Sequence, residues 1–141
     1  MPEQDDERGK LLLQDLARTV REKVSIDGEP MLQRRGVAKL DTIAKMLNGA
    51  ESLPGLRVQR NSAERLRLQR DGRNADVVIE WMRDAGALAL GAERNGRRAR
   101  SILYVWDEPA GRWTMMGGES ELYDDLVVVL TEYLYPEARG A

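Results

Sequence analysis

The chain has 141 residues, of which 42% are hydrophobic and 33% charged, with a formal net charge of -2, and this is typical of one soluble globular domain. It contains no cysteine and no histidine, so disulfide bonds, thiolate nucleophiles, zinc sites with nitrogen or sulfur ligands and histidine acid-base chemistry are excluded. No apolar run approaches the roughly 18 residues needed to cross a bilayer, and the acidic start lacks the basic region of a secretory signal. We therefore expect a cytoplasmic protein.

Two amphipathic helices are predicted near the N-terminus, after a tail at residues 1–5 that we expect to be disordered. The first spans residues 6–24. Its apolar stripe consists of Leu13, Leu16, Val20 and Val24. The segment SIDGEP, residues 25–30, contains two helix breakers, and a second helix is expected from residue 36 or 37 to residue 47. Each helix has one apolar stripe, so each needs one partner surface.

From residue 56 to residue 116 the apolar period changes to two, which predicts an antiparallel meander of four to six strands. A correct hairpin register brings apolar residues opposite each other, and turns at Asn95-Gly96, at Asp84-Ala85 and at residues 71–74 satisfy this rule together. The Asn95-Gly96 turn pairs Leu88 with Leu103. The predicted buried face consists of Leu66, Leu68, Val77, Ile79, Trp81, Leu88, Leu90, Leu103 and Val105.

Two edge strands and a C-terminal helix complete the predicted α+β fold, a single domain over residues 1–141. A first strand sets Val58 opposite Leu66, and a last strand sets Trp106 opposite Trp113. The helix is expected over residues 120–135, lying across the buried face of the sheet. Its apolar face consists of Leu122, Leu126, Val129, Leu130 and Tyr133, widened by Tyr123, Val127 and Leu134.

The same pairings collect a second sheet face that is half basic and half apolar. It consists of Arg57, Arg65, Arg67, Val78, Glu80, Met82, Ala87, Ala89, Gly91, Arg98, Arg100, Ile102, Tyr104, Trp106, Trp113 and Met115. A contiguous apolar surface of this kind usually marks an interface. Either the two N-terminal helices cover it, or it is a binding or dimer surface.

These observations favour a small non-enzymatic protein-interaction module: an adaptor, an immunity-type protein or a regulatory partner, including self-association as a homodimer. The residue types of the common enzyme mechanisms are missing, and the second face is rich in the aromatic and arginine residues of interfaces. The predicted partner-binding residues are Arg65, Arg67, Arg98, Arg100, Tyr104, Trp106 and Trp113. We expect no cofactor and no metal.

Two other functions start from the same sequence. The arginines of the second face could bind phosphates while its aromatic residues stack on the bases of a single-stranded nucleic acid. Against this, Arg65 is expected opposite Glu80 and Arg98 opposite Glu93, which neutralises part of that face. An enzyme using carboxylates or a cation would draw on the acidic residues around the start of the last helix, namely Glu119, Glu121, Asp124 and Asp125. Their attraction to the helix dipole explains them without a metal.

Overall fold

The computed structural model describes residues 2–23, 29–49 and 53–140, with side chains described at positions 5–18, 31–49 and 53–139. The described residues form an α+β fold, as predicted. Its elements are α1 (Pro2–Lys23), α2 (Glu29–Leu47), β1 (Leu56–Ser62), β2 (Arg65–Arg70), β3 (Ala75–Met82), β4 (Ala87–Arg94), β5 (Arg97–Asp107), β6 (Arg112–Met115), α3 (Leu122–Tyr133) and a 3-10 helix (Pro136–Gly140). The chain divides into two compact units, Met1–Leu32 and Gln33–Ala141.

The larger unit contains one six-stranded antiparallel sheet in the order β1-β2-β3-β4-β5-β6, which confirms the predicted meander. Asn95 and Gly96 both have positive φ (55° and 76°), as a type I′ turn requires. The predicted registers from β2 to β4 are also confirmed. They pair Leu66 with Ile79, Leu68 with Val77, Ile79 with Leu90, and Trp81 with Leu88. Trp106 lies opposite Trp113, as expected.

The predicted register of β5 is wrong by one residue. Arg94 pairs with Arg97 and Glu93 with Arg98, but Ala92 pairs with Arg100, so Ala99 is an extra residue in a β-bulge. Because side chains alternate along a strand, this shift moves every later residue of β5 to the other face. Leu88 therefore lies opposite Tyr104 and not Leu103.

A second bulge corrects the predicted pairing of β1. Val58 lies opposite Leu68, two residues from its predicted partner Leu66, and the register shifts between Arg60 and Ser62. A shift of two residues keeps Val58 on the same face of the sheet. The predicted edge strand is therefore present, with a different register.

One face of the sheet, the inner face, is covered by helices. Its strand residues include Leu66, Leu68, Val77, Ile79, Trp81, Leu88, Leu90, Ile102, Tyr104, Trp106 and Trp113. The helix α3 contacts β3, β4 and β6. Its predicted apolar stripe from Leu122 to Tyr133 is buried, whereas Val127, expected to widen that stripe, is 63% exposed. Of the other two residues expected to widen it, Leu134 is fully buried and Tyr123 is half-buried, so the prediction for α3 was wrong at Val127.

The part of α2 in the larger unit also packs on the inner face. Its Leu40 and Ile43 are buried, and Gly36 lies so close to Trp81 that a Cβ there would be 2.5 Å from the indole ring. Lys39 donates a hydrogen bond to the hydroxyl of Tyr123 in α3 (3.2 Å). Thus α2 and α3 are neighbours over the inner face.

The first two helices differ in extent from the predicted ones. The helix α1 begins at Pro2, within the predicted tail, and α2 begins at Glu29. Pro30 therefore lies in the first turn of α2, where proline is tolerated because the backbone N–H groups there have no helical partner. Residues 25–28 of the predicted break and residue 24, the predicted end of the first helix, lie outside the described residues.

Candidate interaction surface

The bulge at Ala99 separates the seven residues that were predicted to bind a partner together. Arg65, Arg67 and Arg98 lie on the outer face of the sheet, opposite the helices. The other four lie on the inner face, namely Arg100, Tyr104, Trp106 and Trp113. The prediction that all seven share one face is therefore wrong, and the reason is the single extra residue in β5.

Tyr104 belongs to the core. Its side chain is fully buried, and its hydroxyl donates a hydrogen bond to a carboxylate oxygen of Asp125 in α3 (2.7 Å). Burial raises the pKa of the Tyr104 phenol above its ordinary value, and the hydrogen bond to Asp125 raises it further. The neighbouring Arg100 donates a hydrogen bond to Glu132 of the same helix (3.0 Å). Both residues therefore hold α3 against β5.

The three tryptophans form one cluster at one end of the inner face. The ring of Trp113, only 2% exposed, lies 6.1 Å from that of Trp81 and 5.6 Å from that of Trp106, both in edge-to-face geometry. The guanidinium of Arg35 in α2 lies 4.5 Å from the centre of the Trp106 ring. Trp106 is half-buried, so it is more accessible than Trp113. Contact of Trp106 with a partner stays a prediction.

The outer face carries a network of arginines and carboxylates across β2 to β5. Arg67 forms ion pairs with Asp76 and with Glu93 (3.3 Å to the latter). Arg98 reaches across β4 to Glu80 (3.7 Å), and its guanidinium carbon would lie 3.9 Å from a Cβ built on Gly91. The small residues of β4 thus let long side chains from neighbouring strands lie over them.

The charges of this face nearly cancel. Five arginines and four carboxylates lie on it by register, namely Arg57, Arg65, Arg67, Arg98 and Arg112 with Asp76, Glu80, Glu93 and Asp107. The predicted pairings of Arg65 with Glu80 and of Arg98 with Glu93 are confirmed as strand partners. In the described part of the chain, the Nε atom of Arg65 is buried without a hydrogen-bond partner. Of these five arginines, Arg57, Arg67 and Arg98 form ion pairs with carboxylates of the same chain.

An apolar area adjoins this network on the outer face, and we call it the outer patch. It consists of Met82, Ala87, Ala89, Leu103, Val105 and Met116. The alanines form its floor, since they are at most 3% exposed and lie opposite Met82, Leu103 and Glu80 on the neighbouring strands. Leu103 and Val105 are half-buried, while Met82 and Met116 are 37% and 47% exposed. The backbone N–H of Met116 donates to the carbonyl of Leu103 (2.8 Å), which places Met116 beside β5.

An open groove along β5 and β6 continues the outer patch. Val105, Asp107 and Thr114 line it together with the Gly117-Gly118 turn. Val105 lies directly opposite Thr114, whose hydroxyl oxygen is buried and has no hydrogen-bond partner among the described residues. Buried polar atoms are usually paired, so Thr114 is an exception to this rule, and its hydroxyl oxygen is not accessible from the groove.

Sequence reasoning placed Leu103 and Val105 in the core and so missed the outer patch. A regular hairpin after Asn95-Gly96 puts these two residues opposite the apolar residues of β4, and this arrangement satisfies the apolar pattern well. The alternative register instead buries Ile102 and Tyr104, and it also sets apolar residues opposite those of β4. The only available signal was the run from Arg97 to Arg100, in which a bulge places Arg98 and Arg100 on opposite faces, each beside a carboxylate.

Among the acidic residues around the start of α3, Asp125 has a hydrogen-bond partner in the sheet. Asp125 accepts the hydrogen bond of Tyr104. Within the described residues, no three acidic side chains are grouped so that they could hold a metal ion. None of the helices in that part of the chain has both the length and the apolar character of a membrane span.

The chain was compared with protein-family models, with curated proteins and with solved structures. None of the three comparisons gives a significant match.

Proposed function

We propose that this chain is a small protein-interaction module of the adaptor, immunity-type or regulatory kind, and that it binds a protein partner on the outer patch. The observation that carries the proposal is the position of Leu103 and Val105, which are half-buried on the face of the sheet opposite α2 and α3. Contiguous apolar side chains on a surface expose area that a partner can remove from water.

The outer patch has the composition expected of the centre of a protein interface. Apolar side chains surround a floor formed by Ala87 and Ala89, and charged residues of both signs lie around them, including the ion pair of Arg98 and Glu80. Protein interfaces commonly have an apolar centre and a polar rim. The partner inferred from this arrangement presents apolar side chains to Leu103, Val105 and Met116, and charges of both signs at its edge.

The charge network favours a protein partner over a single-stranded nucleic acid. A phosphate chain would have to compete with Asp76 and Glu93 for Arg67, and with Glu80 for Arg98. The aromatic residues that were expected to stack on bases are also withdrawn, since Tyr104 and Trp113 are buried on the inner face. Stacking platforms beside a basic groove are what sheet-based binders of single strands use.

The test compares variants at two outer-face positions of β5, one on each side of Leu103. Val105→Glu places a carboxylate in the outer patch, and Ser101→Glu places one on the same face and strand, outside the patch. Proteins captured from a lysate of the source cells by the wild type are identified, and the purified candidate is then titrated against all three chains by calorimetry. We expect one partner to bind the wild type and Ser101→Glu with similar affinity and to bind Val105→Glu at least about tenfold more weakly.

Equal affinity of the partner for Val105→Glu and the wild type would contradict the outer patch as the site. A fluorescent single-stranded oligonucleotide, titrated at about 50 and about 200 mM salt, tests the second function in parallel. We expect no binding at either salt concentration. Binding that weakens with salt and is lost in Arg67→Glu would instead support a nucleic-acid partner.

A further inference from the structure

The helix α1 exposes a group of leucines that the smaller unit does not bury. Leu11, Leu12, Leu13 and Leu16 are 62%, 60%, 68% and 59% exposed. Single exposed leucines are common on protein surfaces, but four within six positions of one helix form a contiguous apolar area. Such an area on a helix is typical of a surface that packs against another element.

Three of these leucines lie on one side of α1. Each residue turns the helix by about 100°, so Leu12, Leu13 and Leu16 fall within an arc of about 100°. Leu11 lies outside this arc, about 140° around the helix from Leu16. We call Leu12, Leu13 and Leu16 the leucine stripe, and Leu11 provides a natural control with the same side chain and a similar exposure.

The charges of α1 are arranged so that the helix complements itself in the antiparallel direction. Asp5 precedes Leu12 by seven residues and Lys23 follows Leu16 by seven residues. Seven residues are about two helical turns, so positions 5 and 23 of the helix fall on the side that bears the leucine stripe. The first third of the helix is acidic (EQDDE, residues 3–7), and the last third is mostly basic (RTVREK, residues 18–23).

We propose that α1 pairs with α1 of a second copy of this chain in an antiparallel, two-fold symmetric arrangement. With Leu12 of one copy opposite Leu16 of the other, Asp5 falls opposite Lys23 at both ends, because each of these pairs is centred on position 14. A parallel pair would instead place Asp5 against Asp5 and Lys23 against Lys23. Such an isologous contact closes on itself and yields a dimer.

This inference does not depend on the outer patch, since it uses other residues and another occupant. The absence of cysteine from the chain makes a direct test possible, because one introduced cysteine is the only thiol. In the antiparallel pair, position 13 lies about 3 Å along the axis from its own copy, whereas position 5 lies about 27 Å from its own copy. A short bis-maleimide cross-linker should therefore join two copies of Leu13→Cys and not two copies of Asp5→Cys.

The mass in solution of the full chain, measured by light scattering over a concentration series, gives the second readout. We expect the wild type and Leu11→Asp to dimerise alike, and Leu16→Asp to raise the dimer dissociation constant at least about tenfold. Asp5→Lys and Lys23→Asp should each weaken the dimer, and the variant carrying both changes should recover it.

Three results would overturn the proposal. The first is a wild type that remains monomeric across the series. The second is efficient cross-linking of Asp5→Cys, which would show a parallel pair. The third is a Leu16→Asp variant that keeps its mass and loses thermal stability, which would show that the leucine stripe packs within its own chain.

Discussion

The inner and outer faces of the sheet come from the same six strands but carry opposite kinds of side chain. Along β4 the inner residues are Leu88, Leu90 and Ala92, all fully buried, and the outer residues are Ala87, Ala89 and Gly91. Large inner side chains fill the space under α2 and α3, as close packing of a core requires. The small outer residues leave room for arginines and carboxylates of neighbouring strands to lie over them. The difference shows that helices cover the inner residues of β4, whereas side chains of the neighbouring strands cover its outer residues.

Adjacent residues of β5 give the strongest test of this comparison. Tyr104→Asp places a carboxylate in the core beside Asp125, whereas Val105→Asp places one at the half-exposed outer patch. Since an unpaired charge is very costly to bury, we expect Tyr104→Asp to lower the free energy of unfolding by more than about 4 kcal/mol. We expect a loss of about 1 kcal/mol for Val105→Asp, mainly because aspartate is a poor strand former. Chemical denaturation measures both.

The register originally predicted for β5 gives the reverse order. It places Val105 in the core and Tyr104 on the surface. The two registers therefore predict opposite answers to which variant, Tyr104→Asp or Val105→Asp, loses more stability. A larger loss for Val105→Asp than for Tyr104→Asp would therefore reject the bulge at Ala99.

The sequence was sufficient for the parts of the fold that depend on local pattern. The hairpins from β2 to β4 follow from turn residues and alternation, and the buried stripe of α3 follows from helical spacing. The sequence was not sufficient for β5, because its residues from Ile102 to Trp106 are apolar on both sides. Because no polar residue marks a solvent-facing side, the alternating pattern fits either register equally well. The choice is made by tertiary contacts, such as that of Tyr104 with Asp125, which a local pattern does not contain.

This contact is also the basis of the second prediction. Tyr104→Phe keeps the ring and removes the hydrogen bond to Asp125, so we expect the free energy of unfolding at neutral pH to fall by about 1.5–3 kcal/mol, the usual value for a bond to a charged group. Denaturant unfolding of both chains at pH 7 measures this loss. Tyr123→Phe serves as a comparison, since it removes the longer hydrogen bond from Lys39 (3.2 Å) at a half-buried hydroxyl and should cost less.

The dependence on pH distinguishes the hydrogen bond from simple packing. Because burial and Asp125 raise the pKa of the Tyr104 phenol, the folded chain keeps this proton at pH values where the unfolded chain, with its pKa of about 10, loses it. The stabilisation by this group is therefore complete below about pH 10 and is lost as the pH rises further. The unfolding free energy of the wild type should fall more steeply above about pH 10 than that of Tyr104→Phe. Parallel curves for the two chains would contradict this assignment.

The packing of α2 on the inner face leads to a smaller effect. Alanine favours a helix over glycine by about 1 kcal/mol, but a Cβ at Gly36 would meet the ring of Trp81 at 2.5 Å. Because the cost of overpacking, about 1–3 kcal/mol, offsets or exceeds the helix gain, we expect Gly36→Ala to destabilise the fold by up to about 2 kcal/mol. Gly9→Ala in α1 is the matched control, since a Cβ there has no atom within 4 Å. If Gly36→Ala raised the melting temperature as Gly9→Ala should, α2 would not lie against Trp81.

The smallest effect is expected on the outer face. Arg98 is half-exposed and its ion pair with Glu80 spans 3.7 Å, so Arg98→Ala should change the free energy of unfolding by no more than about 1 kcal/mol. The change should shrink as salt is added, because ions screen exposed charges. A loss of more than about 2 kcal/mol would mean that Arg98 covers Gly91 and the alanines of β4 as part of the core. A small loss leaves the fold intact, and any weaker binding of a partner by Arg98→Ala can then be assigned to the outer face itself.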